Sequence, residues 1–189
     1  TVRVWNLRTG QPFGKPLTGH TSNVSAVACT DLDGTPVAVT GSADRTVRVW
    51  NLRTGQPFGK PLTGHTSNVS AVACTDLDGT PVAVTSSRDR TVRVWNLRTS
   101  QPLGQALANY RKTVSAVACV RLEDTPVAVI ASKGHTLRIW NLRTRSTSAV
   151  LPLSAPSAAA WSTLGDIVVG FYSDVACYRR LPPGPATRA

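Results

Sequence analysis

The sequence predicts an all-β protein built from four-stranded antiparallel sheets that recur every 45 residues, about four of them within 189 residues. The period comes from Trp5, Trp50, Trp95 and Trp140, which stand 45 residues apart. Within each unit, short apolar or alternating segments are separated by turn residues, and no segment has helical periodicity. One such sheet cannot bury both of its faces, so the units are expected to stack on one another.

The repeat is almost identical at the start of the chain and weakens towards its end. Residues 1–45 and 46–90 differ at two aligned positions only. Residues 91–135 keep the apolar pattern but change many polar positions, and the match is weaker after residue 140. The chain is therefore expected to be an array of duplicated units with a degenerate last member.

Each unit contains four predicted strands. Residues 47–50 alternate between apolar and polar side chains and are rich in β-branched residues, as in a half-buried strand. Residues 24–30 and 37–40 are short runs of mostly Val and Ala, which suit strands buried on both faces. Asp33-Gly34 is a turn signal between these two runs. A fourth strand is expected in the segment that leads to the next unit.

The units carry their motifs in one order. A Gly19-His20 pair precedes two strands, Asp44 lies in a predicted tight turn, and the next strand ends on Trp50. This order and spacing resemble the WD-repeat β-propeller family, above all the near-identical repeat arrays of high-GC bacteria. The family's Asp after the Trp is Asn51 here, which keeps side-chain hydrogen bonding but not the charge.

The resemblance implies where each blade, the sheet of a propeller, begins. It implies a half blade at residues 1–17, blades at about 18–62, 63–107 and 108–152, and a degenerate blade at 153–180. The Pro-rich residues 181–189 are predicted to be a disordered tail. Because the family usually closes a ring with about seven blades, we expect an incomplete or open ring. We favour the C-terminal part of a longer propeller over copies that assemble into one. Residues 11–17 are expected to give the last blade its missing outer strand.

A Ser, a His and an Asp recur in the first two blades and invite comparison with a hydrolase triad. The sequence has no Gly-x-Ser-x-Gly motif, and a set that recurs in each blade beside a Trp is not expected of a catalytic site. The resemblance instead implies a structural network in which Asp bonds His, His bonds a strand hydroxyl, and the hydroxyl bonds the Trp indole. The residues predicted for the network are His20, Ser42, Asp44, Trp50, His65, Ser87, Asp89, Trp95 and Trp140.

The hydroxyl of this network is either Thr40 or Ser42, and both remain open at this point. In the third unit Tyr110 replaces the His and Gly134 replaces the Asp. We therefore expect the network to be absent there, although Trp140 remains. Because the chain has one Glu and its Asp residues are assigned to turns, we expect no catalytic residues and predict that the protein is not an enzyme.

Three of the four Cys residues, Cys29, Cys74 and Cys119, fall at one equivalent strand position and are predicted to be small buried residues. No Cys-x-x-Cys pair exists, so neither a metal site nor a cofactor is predicted. Reduced thiols suit a cytoplasmic location. No segment is apolar enough to predict a membrane partner.

The prediction of function depends on the net charge of the chain and on where its cations lie. With 21 Lys and Arg against 10 Asp and Glu, the chain has a net charge of +11. Differences among the units concentrate in the loops that the resembled family uses for binding. The candidate partner-binding residues are Arg45, Arg88, Arg90, Arg111, Lys112 and Lys133. We predict a protein–protein interaction scaffold with an acidic protein partner; the alternative is binding of nucleic acid or another polyanion. Open blade edges also predict self-association.

Overall fold

The structure of the chain is a computed structural model. The structure describes residues 1–107, 110–122, 124–133 and 136–152, and the backbone of residues 158–161, 167–170 and 175–178. Every regular element in these segments is a β-strand, which confirms the all-β prediction. Accordingly, no helix that could span a membrane occurs in these segments.

The strands form four antiparallel sheets that follow one another along the chain. The first sheet contains β1 (Val24–Leu32), β2 (Thr35–Ser42) and β3 (Val47–Asn51). The second contains β4 (Val69–Leu77), β5 (Thr80–Ser87), β6 (Val92–Asn96) and β7 (Gln101–Pro102). The third contains β8 (Val114–Leu122), β9 (Thr125–Ser132), β10 (Thr136–Asn141) and β11 (Ser146–Pro152). The fourth contains β12 (Ala158–Trp161), β13 (Ile167–Gly170) and β14 (Val175–Tyr178).

The first hairpin of the first sheet owes its register to a two-residue turn. Asp33 and Gly34 both have positive φ, at 52° and 78°, which is the geometry of the turns that best join twisted antiparallel strands. The Asp31 carboxylate accepts a 2.6 Å hydrogen bond from the Gly34 N–H and closes this turn. From the turn, β1 pairs with β2 as far as Val24 and Ser42. The start of β1 and the end of β2 therefore lie at the same end of the sheet.

The N-terminal segment forms a small hairpin of its own. Val2 pairs with Leu17 and Trp5 pairs with Pro12. The expectation that residues 11–17 would complete the last blade is therefore wrong, because these residues pair with residues 2–5. A local hairpin needs only a short connection, so its closure entropy is smaller than that of a contact across the whole chain.

The core lies between successive sheets, where the face of one sheet packs against the next. Val37, Val39 and Val47 of the first sheet form one cluster with Val69 and Trp95 of the second. The second and third sheets pack in the same way. Neighbouring first strands also lie side by side, since the Ser25 hydroxyl donates to the Val69 carbonyl.

On the outer face of the first sheet, the N-terminal hairpin packs over Trp50 of β3 but leaves β1 uncovered. Val27 is 58% exposed, whereas its equivalents Val72 and Val117 are each 8% exposed beneath the preceding sheet. Trp5 of the N-terminal hairpin is 52% exposed, against 1% for Trp50. The described sheets thus form an open row rather than a closed ring, as expected.

Two further predictions concern the burial of the cysteines and the division of the chain into blades. Cys29 is exposed, and Cys74 and Cys119 are half-buried, so the prediction of three buried thiols is wrong for Cys29, which lies on the uncovered face. The predicted division into blades stays a prediction. The tail at 181–189 and most of the unit at 153–180 lie outside the described residues.

Candidate binding face and its supporting hydrogen-bond network

In the first three sheets, two loops meet at the end where the first strand starts. In the first sheet the Ala43 N–H donates a 2.8 Å hydrogen bond to the Asn23 carbonyl, which joins the loop before β1 to the turn after β2. We call this end the loop face. Its described residues are 18–23 and 43–46, 63–68 and 88–91, and 110–113 and 133. The opposite end, with the turns after β1, β3 and their equivalents, is the hairpin face.

A chain of side-chain hydrogen bonds runs from the loop face into the first sheet. His20 Nδ1 lies 2.8 Å from the Asp44 carboxylate, and His20 Nε2 lies 2.8 Å from the Thr40 hydroxyl. The same hydroxyl accepts a 2.8 Å bond from the Trp50 indole N–H. In the second sheet the corresponding residues are joined over 2.8 to 2.9 Å; they are His65, Asp89, Thr85 and Trp95.

The protonation of the network follows from its partners. Burial lowers the pKa of His65 below 6.5, although the Asp89 carboxylate opposes this shift, so the ring is neutral. Because a carboxylate only accepts hydrogen bonds, Nδ1 of His65 carries the proton and Nε2 accepts from Thr85. Burial acts to raise the pKa of Asp89, but hydrogen bonds from Thr91, Thr66 and His65 outweigh it and leave the pKa lowered.

The hydroxyl in the network belongs to Thr40, not to Ser42. The Ser42 hydroxyl instead donates to the Ser22 carbonyl over 3.3 Å and accepts the Asp44 N–H over 3.1 Å. Ser42 and its equivalent Ser87 therefore hold the loops together from a fully buried position. Neither serine contacts a histidine among the described residues, so the pairing that activates a serine nucleophile is missing there.

Sequence reasoning left Thr40 open and missed Thr46 altogether. The Thr46 N–H and hydroxyl donate to Asp44 over 2.9 and 2.7 Å, and the Thr21 N–H donates to the same carboxylate over 3.0 Å. A signal for Thr40 was present, because Thr stands at this position in the first two units and Ile130 in the third. The hydroxyl is thus lost in the unit that also loses the His and the Asp.

The third sheet fills the same space without the network. The Trp140 side chain is 2% exposed, but its indole N–H has no hydrogen-bond partner among the described residues. The prediction that Trp140 takes part in the network is therefore wrong, because Ile130 offers no acceptor. Tyr110 is 5% exposed, its hydroxyl also lacks a partner there, and burial raises its pKa to about 12 against a smaller opposing effect of Arg138. Gly134 lies outside the described residues.

The six predicted partner-binding cations all lie on the loop face, and all are exposed. They are Arg45, Arg88, Arg90, Arg111, Lys112 and Lys133. None of them forms an ion pair within the described part of the chain. The two carboxylates of this face, those of Asp44 and Asp89, are each only 7% exposed and are bonded to the network. Solvent therefore meets positive charge on the loop face.

The hairpin face carries the exposed carboxylates instead. Those described are Asp31, Asp33, Asp76, Asp78 and Asp124. Three of them pair with arginines of a following sheet: Asp33 with Arg98, Asp76 with Arg121, and Asp78 with Arg143. Exposed acidic groups and free loop-face cations are thus separated between the two ends of the sheets.

Comparison with known families decides what kind of repeat this is. Residues 10–51 and 55–96 each match the family described as WD domain, G-beta repeat. Residues 10–96 therefore contain two WD repeats. No curated protein matches the chain. WD repeats generally mediate protein–protein interaction, and WD-repeat proteins are typically non-catalytic. In the described part of the chain, no group of three or more His, Cys, Asp or Glu residues could hold a metal ion.

Proposed function

We propose that this WD-repeat protein is a non-catalytic scaffold that binds an acidic protein surface through its loop face. The separation of charge carries the proposal. Unpaired, exposed cations occupy the loop face, while the exposed described carboxylates lie at the other end. An acidic partner is attracted to the loop face over a distance, which raises the rate of encounter and favours one orientation.

The network supports this function by holding the loops in place. Asp89 ties the turn that carries Arg88 and Arg90 to the loop that contains His65. Because the loops are held before a partner arrives, little of the binding free energy is needed to order them.

Binding of nucleic acid is the alternative, and the position of Tyr110 argues against it. Tyr110 is the one aromatic residue interleaved with the predicted basic loops, and it is 5% exposed. Sequence-tolerant binding of single strands depends on aromatic rings that stack on bases. Buried as it is, Tyr110 offers no such surface. A protein partner is therefore the better supported of the two.

The proposal includes a cytoplasmic location. The three described cysteines are free thiols, and burial raises the pKa of Cys74 to about 12, with a smaller contribution from Cys29. A thiol with a raised pKa has little thiolate at neutral pH and is slow to oxidise.

A charge-reversal experiment tests the proposal. A blocked peptide of eight Glu residues serves as the acidic probe, and its affinity is measured by calorimetry at two salt concentrations. The variant Arg88→Glu/Arg90→Glu/Lys133→Glu is expected to weaken binding by about tenfold or more. The matched control Arg8→Glu/Arg53→Glu/Lys60→Glu changes the net charge equally but leaves the described loop face intact.

The outcomes separate the loop face from net charge. Equal losses of affinity in both variants would mean that the peptide is attracted only by the net charge of the whole chain, and the proposal would fail. Tighter binding of a mixed-sequence DNA duplex than of the peptide at the same salt would favour the alternative.

A further inference from the structure

The outer strand of the third sheet differs from its equivalents in the first two sheets. β11 has seven residues and pairs with β10 along its whole length. At the same place in the second sheet, β7 has two residues and is followed by the isolated bridge between Val92 and Leu107. In the first sheet, the described residues form only isolated bridges there, such as that between Trp50 and Pro57. Of these three sheets, as far as the structure describes them, the third alone ends in a long regular edge strand.

The sequence explains this difference. Residues 56–62, the outer segment of the first sheet, contain two Pro residues and Gly59, whose φ is 75°. Residues 101–107 of the second sheet contain one Pro and Gly104, whose φ is 65°. Proline donates no main-chain hydrogen bond, and a positive φ interrupts an extended strand. The equivalent residues 146–152 contain no Gly, and their one Pro is the last residue.

The turn before β11 fixes the position of the strand. The Asn141 side-chain oxygen accepts hydrogen bonds from the N–H groups of Arg143 and Thr144 over 2.9 and 3.1 Å. The Arg145 N–H donates to the Asn141 carbonyl over 2.9 Å, and the Arg145 guanidinium donates to the Leu103 carbonyl of the second sheet. Because β11 is already held in place, little binding free energy is needed to order it when another strand pairs with it.

One edge of β11 has no partner. The strand is the last in the order β11-β10-β9-β8, and β10 is the one described element that pairs with it. Five of its seven residues are exposed. In an edge strand, alternate residues point their N–H and C=O groups away from the sheet, and these groups form a template for a further strand. Seven residues of strand make this template about 20 Å long.

The side chains of β11 give this edge little protection. Natural proteins discourage strand addition with charged residues or Pro on their edge strands. Residues 146–152 contain no charged residue. Val150 is 51% exposed, and it stands where the first sheet has Lys60 and the second has Gln105. An apolar side chain of an added strand would therefore pack against Val150 as a cross-strand neighbour.

We propose that β11 docks an extended segment of a partner protein, which adds to the outer edge of the third sheet as its fifth strand. Main-chain hydrogen bonds supply the affinity, and contact with Val150 selects an apolar side chain at one position. The segment carries no Lys or Arg, because the net charge of +11 repels cations, and the same repulsion acts against pairing with a second copy. The site includes no residue of the loop face and does not depend on the proposed function.

The test uses two blocked heptapeptides of alternating Thr and Val. The first is N-methylated at every second residue, so it keeps one edge that can pair and cannot form larger aggregates. The second is N-methylated at every residue, which keeps the side chains but removes every N–H donor. Binding to the whole, isotope-labelled protein is followed by amide chemical shifts. We expect saturable binding of the first peptide, with the largest shifts in residues 146–152, and at least tenfold weaker binding of the second.

A variant of the protein gives β11 the protection of the first sheet. Thr147→Pro/Val150→Lys introduces the residue types that the first sheet has at these positions, where Pro57 already lies opposite Trp50. The melting temperature is therefore expected to be almost unchanged, while the affinity for the first peptide falls at least tenfold. The control Gln105→Lys adds the same charge at the equivalent position of the second sheet and is expected to change the affinity less than about twofold.

The outcomes distinguish strand addition from other kinds of binding. Equal affinity of the two peptides would overturn the proposal, and this comparison needs no variant. Unchanged affinity in Thr147→Pro/Val150→Lys would overturn it as well. If the wild-type protein sediments as a dimer and this variant as a monomer, the edge pairs two copies and the proposed partner is wrong. The charge-reversed loop-face variant is expected to bind the first peptide as the wild type does, so this site and the proposed function can fail separately.

Discussion

The second and third sheets share one backbone plan but stabilise it in different ways. Trp95 and Trp140 are both buried, at 1% and 2% exposure, and their strands have the same register. In the second sheet, the Thr85 hydroxyl beside Trp95 is hydrogen-bonded to both Trp95 and His65. In the third sheet, Ile130 lies at the position of Thr85. Packing and main-chain pairing are therefore sufficient to form such a sheet. The network adds stability and holds the loops.

The largest difference in stability between the two sheets is expected for substitutions at Thr85, which supplies the hydroxyl of the network, and at the equivalent Ile130. Thr85→Val leaves two buried groups, the Trp95 indole N–H and His65 Nε2, without their shared partner. We expect a loss of about 3 kcal/mol in the free energy of unfolding, measured by urea denaturation. Ile130→Val, at the same position of the third sheet, removes one methylene and is expected to cost about 1 kcal/mol. Equal losses would show that the network adds nothing beyond packing.

A smaller difference is expected at the carboxylate. Asp89→Asn replaces a charged acceptor of several hydrogen bonds at the edge of solvent and is expected to lower stability by about 1 kcal/mol. Gly134→Asn is expected to have little effect, because Tyr110 stands in the third unit at the position of the His that bonds Asp89 in the second. Thermal unfolding of both variants tests the contrast, which fails if the two melting temperatures fall together.

Acid should weaken the hydrogen-bond network of the second sheet, which the described part of the third sheet lacks. Since the pKa of His65 is below 6.5 in the folded protein, the unfolded chain binds a proton first, and the stability that depends on the neutral ring falls as the pH drops below about 6.5. Asp89 adds a further loss below about 3.8, because its pKa is also lowered by folding. Tyr110 takes the place of His65 in the third sheet and does not titrate in this range.

Denaturation curves at pH 7.5 and 5.5 measure this effect. His65→Gln is expected to reduce the difference in unfolding free energy between the two curves. A variant that keeps the full difference would assign the pH dependence to other groups.

The smallest effect on stability is expected at the exposed ion pairs, which occur at both interfaces between the first three sheets. Arg98 pairs with Asp33 between the first and second sheets, and Arg143 pairs with Asp78 between the second and third. Both pairs are exposed, so solvent screens them. Arg98→Ala and Arg143→Ala should each change the melting temperature only slightly and by similar amounts. A large drop for one alone would reveal an interface that depends on its ion pair.

Local pattern and repetition made much of the fold predictable. The period, the short strands, the turn at Asp33-Gly34 and the loss of the network in the third unit all follow from residues close together in the sequence. The choice of Thr40 over Ser42 did not, because both lie on β2 and only their distance from His20 separates them. Likewise, Trp140 looked like its counterparts because its own position is unchanged and only its neighbour differs.

The sequence by itself determined a repeating all-β chain, since strand periodicity and turn chemistry act over a few residues and duplication repeats them. Only the tertiary structure decided which faces are covered. Val27 and Cys29 are exposed because the N-terminal hairpin packs over Trp50 and does not reach β1, and Tyr110 is buried because the second sheet packs against it. The separation of charge has the same origin. Antiparallel pairing brings loops that are distant in the sequence to one end of each sheet, and stacking aligns these ends into a single positive face.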